Sequence, residues 1–133
     1  MTPPASKALS LPVLLIEDEP AVMALVRTTL ERSGYTVVCT GSGVEGLHLL
    51  ESGEFTGVIS DMRTPGGVDG AGVHSWIVEH RPELASKMVL ITGDIADEET
   101  VTKLRATGAP WVEKPFRVQQ FISVVQKTMG KAP

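Results

Sequence analysis

The stretch Leu11-Pro-Val-Leu-Leu-Ile16 runs straight into Glu17-Asp18-Glu19-Pro20. A short apolar run that ends in acids suits a strand buried on both faces, with its polar groups delivered at the carboxyl end. Pro20 opens a helix, where its missing N–H costs nothing. Val22, Leu25, Val26, Thr29 and Leu30 then repeat at helical spacing, and Ser33-Gly34 supplies the stop. The same unit recurs along the chain. Tyr35 to Thr40 reads as a second strand, followed by a weaker helix from about Val44 to Glu51 that Gly53 breaks. Gly57 to Ser60 is a third strand that hands over Asp61, and Val73, Trp76, Ile77 and His80 mark a third helix closed by Pro82. Met88 to Ile91 ends at Thr92, and Asp97 caps a fourth helix with Val101 and Leu104 inward. Trp111-Val112 is a short fifth strand before Lys114-Pro115, and Val118, Phe121, Ile122 and Val125 give a last helix that ends near Met129. Five short apolar strands alternating with five helices predict an α/β fold: a doubly wound, five-stranded parallel sheet covered on both faces.

The bulk properties agree with one such domain. The chain has 133 residues, and 42% hydrophobic with 21% charged residues is ordinary for a globular protein. Twelve Lys and Arg against sixteen Asp and Glu leave a formal charge of −4. The bases are scattered, which disfavours direct nucleic-acid binding. No apolar run approaches the roughly 18 residues of a membrane span. Residues 1–10 are polar, contain Pro3 and Pro4, and read as a flexible leader rather than a signal peptide. The single Cys39 can form neither an internal disulfide nor a Cys-rich metal site and reads as a small buried hydrophobe. A reducing cytoplasm is the expected compartment.

In an open parallel sheet, ligands bind outside the carboxyl ends of the strands. There strand one offers Glu17, Asp18 and Glu19, strand three Asp61, strand four Thr92 and Gly93, and strand five Lys114. Crowded carboxylates repel one another unless a positive group joins them. Oxygen-only ligands suit Mg²⁺ or Mn²⁺. A Lys and a Thr donate hydrogen bonds, so they suit the accepting oxygens of a phosphoryl group better than a bare metal. Metal, carboxylate and phosphoryl together describe phosphoryl transfer onto a carboxylate.

Four segments, "LLIEDEP" (14–20), "VISDMRTPGGVDG" (58–70), "LITGD" (90–94) and "WVEKPF" (111–116), carry a family resemblance. In this order, each at a strand end, they resemble the receiver domain of two-component response regulators, the CheY-like family. The resemblance covers about residues 11–130, and the run from "ITGD" to "TGAPWVEKPF" is most similar to receivers of hybrid histidine kinases. It implies a flavodoxin-like sheet of order 2-1-3-4-5. It implies Asp61 as phosphoacceptor, Asp18 as direct metal ligand, Glu17 as the acid holding metal-bound water, and the backbone carbonyl of Arg63 as a further ligand. Thr92 and Lys114 would contact the phosphoryl group, and Pro115 would follow a cis bond. The implied cofactor is Mg²⁺ or Mn²⁺. The implied partners are a histidine kinase or histidine phosphotransfer domain, a downstream protein on the helix 4–strand 5–helix 5 face, and a second copy in a weak homodimer. Three departures stand out, one being Gly93, a small residue after Thr92 that would leave an open path to Asp61. The loop "PGGVD" (65–69) is one residue longer than the commonest form, and Trp111 replaces the usual Tyr, Phe or His switch aromatic.

Other readings compete with this one. "GSGVEG" (41–46) is a literal G-x-G-x-x-G after a strand, with Asp61 at a distance that suits a ribose. The fingerprint belongs after the first strand, however, and Glu45 would repel a pyrophosphate; Gly46 more simply lets the helix pack closely. An aspartate-nucleophile phosphatase needs a second acid two residues after Asp61, where Arg63 stands. A receiver fold that binds a partner without phosphorylation would not need the full set of acids, Thr and Lys. His48, His74 and His80 lack metal spacing, and Trp76 reads as core.

Overall fold

The computed structural model describes residues 11–132, so the leader expected over residues 1–10 lies outside the described residues. Strands β1 (Val13–Ile16), β2 (Val37–Thr40), β3 (Gly57–Asp61), β4 (Met88–Thr92) and β5 (Trp111–Glu113) form one parallel sheet of order β2-β1-β3-β4-β5. The helices are α1 (Pro20–Arg32), α2 (Gly43–Ser52), α3 (Gly70–His80), α4 (Pro82–Ala85), α5 (Glu98–Thr107) and α6 (Val118–Met129). The expected doubly wound sheet is present.

The three inner strands are buried along their whole length, which is why they read as unbroken apolar runs rather than alternating ones. Leu14, Ile16, Val58 and Leu90 face one layer with Leu50, Val73, Ile77 and Leu104; Val13, Leu15, Ile59 and Ile91 face the other with Val26, Leu30, Phe121 and Val125. Even and odd strand positions therefore serve opposite cores. Edge strands β2 and β5 are only partly covered.

The sixth helix is a correction. Pro82 ends α3, as expected, but also opens the one-turn α4, because proline fits the first helical position. Arg81 locks this junction: its guanidinium donates to the carbonyls of Leu50 at 2.7 Å and Gly53 at 2.9 Å, satisfying orphan acceptors at the end of α2. Asp97 caps α5 by accepting from the Thr100 amide, as its position suggested. Cys39 is free and half-buried, packed against the second core, so it is less enclosed than expected.

The glycine fingerprint is used for packing. A Cβ on Gly46 would run into Ile16 Cδ1, and one on Gly43 would meet the Val68 carbonyl at 2.5 Å. The first contact seats α2 on β1; the second lets the start of α2 touch the long loop after β3. That loop turns through Gly66 and Gly67, at φ +90° and +87°, a region costly for any residue with a side chain. The Thr64 hydroxyl donates to the Val68 carbonyl and accepts from the Gly43 amide, so the extra residue is held as a closed turn against α2.

Candidate functional site

The carboxyl ends of β1, β3, β4 and β5 enclose a cleft of about 590 Å³, lined by Asp18, Glu19, Asp61, Arg63, Thr92 and Lys114 among others. The topology explains the convergence. Asp61 is the last residue of β3 and Thr92 the last of β4, and the two strands are hydrogen-bonded neighbours. Lys114 follows β5, and its amide donates to the Thr92 carbonyl at 2.7 Å. The Lys114–Pro115 peptide is cis, as the resemblance implied.

Asp61 is buried, yet both carboxylate oxygens have partners. Oδ2 accepts from Lys114 Nζ at 2.7 Å, and Oδ1 accepts from the Arg63 amide at 3.3 Å. Lys114 Nζ also reaches Glu19 Oε1 at 3.0 Å and Glu17 Oε2 at 3.5 Å. Burial opposes the charge on Lys114. The carboxylates of Asp61, Glu19 and Glu17 outweigh it and hold the ammonium above the usual lysine range. Thr92 is buried, and its hydroxyl oxygen accepts from the Asp94 amide at 3.2 Å.

Glu17 is the strained member. It is fully buried; Oε1 accepts from the Glu19 amide at 3.1 Å, while Oε2 has no hydrogen-bond partner. Burial pushes its carboxyl up to about 7, helped by the Asp61 charge; the Glu19 amide and Lys114 pull the other way without winning. A buried carboxylate oxygen without a hydrogen bond, sharing one ammonium at 3.5 Å with a second buried carboxylate, is a place where a divalent cation would be stabilising.

The residues that the sequence reading brought to this rim meet here. Carboxylate oxygens of Glu17, Glu19 and Asp61 lie within 4.8 Å of one another. Asp18 lines the cleft but is exposed and outside that cluster. Glu19 joins the cluster through Lys114, whose Nζ reaches its Oε1 at 3.0 Å, and nothing in a run of three adjacent acids singles it out. No sequence signal marks the ion pair between Arg63 and Asp94, which joins the loops after β3 and β4 across the cleft mouth. Trp111 is exposed at the start of β5 and lines no part of the cleft. His48 and His80 lie on the surface; His80 stacks on Trp76 with ring centroids 4.5 Å apart. His74 is buried on α3, and burial lowers its pKa.

An open parallel sheet that presents a buried aspartate, a lysine, a hydroxyl and an acidic pair at one edge defines a class of phosphoryl-handling α/β domain. Comparison with known proteins narrows the class. The response regulator receiver domain family matches residues 13–126. The polar-differentiation response regulator DivK of Brucella ovis is 30% identical over 126 residues, covering 90% of this chain and 97% of DivK. The receiver domain of a signal transduction histidine kinase from Syntrophus aciditrophicus superposes with a TM-score of 0.81 at 25% identity, covering 90% of this chain and 89% of that one. A sensor histidine kinase receiver domain from Pseudomonas aeruginosa, with magnesium coordinated in its active-site cleft, shares the fold at a TM-score of 0.80 and 20% identity, covering 92% and 99%. The chain belongs to the response regulator receiver domain family. It is a receiver domain of two-component signalling, a phosphorylation-dependent switch of a family that binds Mg²⁺ and works with histidine kinases or phosphotransfer proteins. Among the described residues, no helix is long and apolar enough to cross a membrane.

Proposed function

We propose that Asp61 is the phosphoacceptor of this chain, taking its phosphoryl group from a phosphohistidine on a histidine kinase or histidine phosphotransfer domain. The observation that supports this most is the pairing of Asp61 Oδ2 with Lys114 Nζ at 2.7 Å in a cleft that also holds Thr92, with the buried Glu17 carboxylate 3.5 Å from the same ammonium. An Asp61 carboxylate oxygen forms the new bond to phosphorus as the phosphorus–nitrogen bond of the donor breaks. The imidazole leaves with that electron pair and takes up a proton. Lys114 moves its ammonium from Asp61 to the phosphoryl oxygens, where a charge-assisted bond is stronger. The Thr92 hydroxyl, accepting from the Asp94 amide, donates its own hydrogen to another phosphoryl oxygen.

Glu17, Asp18 and Asp61, with the Arg63 carbonyl, are the groups that would hold Mg²⁺ or Mn²⁺. Glu19 stays on Lys114 at 3.0 Å. When bound, the ion offsets the negative charge gathered on the carboxylates and the transferring group. The chain's own share is to keep two carboxylates buried and one lysine poised over them. The phosphoryl group then draws Thr92 and the loop after β4 inward and alters the surface from Ile95 to Trp111. That surface, α5–β5–α6, is the face assigned to a downstream protein and to weak self-association, with Trp111 as the switch aromatic; the compartment assigned is the cytoplasm.

The test is incubation with acetyl phosphate and Mg²⁺, followed by borohydride reduction and peptide mass analysis. One phosphoryl group should be added and the reduced residue should map to position 61. No adduct, or an adduct that persists in Asp61→Asn, would overturn the assignment.

A further inference from the structure

Arg63 stands two residues after Asp61, and the metal reading uses only its backbone carbonyl. Its side chain does something else. The guanidinium leaves the β3–α3 loop, crosses the mouth of the cleft and pairs with the carboxylate of Asp94 in the β4–α5 loop. Asp94 is tied at a second point, because its amide donates to Thr92 Oγ1 at 3.2 Å. One cation therefore anchors the β4–α5 loop at Asp94, and Ile95, an exposed apolar residue, follows directly.

The Arg63–Asp94 tie competes with a phosphoryl group on Asp61. The Arg63 amide already donates to Asp61 Oδ1 at 3.3 Å, so the side chain is rooted beside the acceptor and lines the same cleft as Asp61 and Thr92. A phosphoryl group presents more charge and more acceptor oxygens to a guanidinium fork than a carboxylate does. The Thr92 hydroxyl is the other shared element. Resting on the phosphoacceptor reading, we propose that the Arg63–Asp94 pair is a latch. Arg63 exchanges from Asp94 to the phosphoryl group, and the loss of that pair frees residues 93–97 and the cap of α5 to take up the signalling conformation. The surroundings keep the latch weak: the Arg63 side chain is 75% exposed and that of Asp94 31%, so solvent screens the pair and a better anion can take it.

The test is a double-mutant cycle on beryllofluoride binding with Mg²⁺, using Arg63→Gln, Asp94→Asn and the double variant. Asp94→Asn removes a negative charge near an anion site, so it tightens binding in either background; the latch adds a gain only when Arg63 is present. Binding should tighten up to about fivefold more in the unsubstituted background than in the Arg63→Gln background. A second readout needs no ligand: amide hydrogen exchange over residues 93–97 should quicken in both single variants. In the unsubstituted protein it should change likewise when beryllofluoride binds. Equal gains in both backgrounds, or exchange unaltered in the variants, overturn the latch and leave the phosphoacceptor reading standing. If the unsubstituted protein takes up no beryllofluoride, the phosphoacceptor reading falls and the latch with it.

Discussion

Replacing Glu17 with Gln should make the ion-free protein more stable at alkaline pH, by an amount the burial of that carboxyl sets. Gln keeps the shape and still accepts from the Glu19 amide, but it cannot ionise. The Glu17 carboxyl lies at about 7 in the folded chain against an ordinary value of 4.5. Below pH 4.5 it is protonated whether the chain is folded or not, and its contribution is fully present. As pH rises towards 7, the unfolded chain gives up the proton while the folded chain keeps it, so stability falls; above 7 the loss is complete. At about 1.4 kcal/mol per pH unit, that is about 3 kcal/mol. Urea denaturation in EDTA at pH 5 and pH 8 measures it. The advantage of Glu17→Gln should be under about 1 kcal/mol at pH 5 and grow by about 2.5 kcal/mol at pH 8. Added Mg²⁺ should stabilise the unsubstituted protein at pH 8 and largely fail to stabilise the variant. An advantage that does not change with pH would refute the burial argument.

Three further outcomes follow from the same geometry. Lys114→Gln leaves Asp61 and Glu17 buried without their cation; urea melts in EDTA at pH 8 should show a loss of about 3 kcal/mol, reduced when the divalent ion is present. Arg81→Ala strips the Leu50 and Gly53 carbonyls of their donor and should cost about 2 kcal/mol in urea denaturation, and Arg81→Lys should recover only part, since one ammonium cannot copy the fork. Gly46→Ala forces Ile16 aside and should lower stability by about 1–3 kcal/mol in the same assay, while Gly41→Ala, with open space around it, should not.

The sheet was legible because burial on both faces removes alternation from the inner strands, leaving Val13–Ile16, Gly57–Asp61 and Met88–Thr92 as plain apolar runs. Asp61, Thr92 and Lys114 could be placed together because parallel strands all deliver their carboxyl ends to one edge. The membership of the acidic cluster was harder. Glu17, Asp18 and Glu19 are adjacent in sequence, and which of them gather beside Asp61 depends on Lys114, a residue from another strand end that pairs with Glu17 and Glu19. The one-turn α4 escaped because Pro82 is a stop for one helix and a start for the next. The Arg63–Asp94 pair joins residues 31 apart on two loops, and no periodicity marks such a partner. The path of the long loop likewise depends on Thr64 meeting Gly43 on another element.

The most direct measurement is a crystal structure of the protein grown with Mg²⁺ and beryllofluoride. The expected result is beryllium bonded to a carboxylate oxygen of Asp61, with fluorines accepting from Lys114 Nζ and the Thr92 hydroxyl and Mg²⁺ beside Glu17 and Asp18. Beryllofluoride absent from residue 61, or Lys114 still paired with that carboxylate in the presence of both ligands, would contradict the proposal that this cleft is built to carry a phosphoryl group.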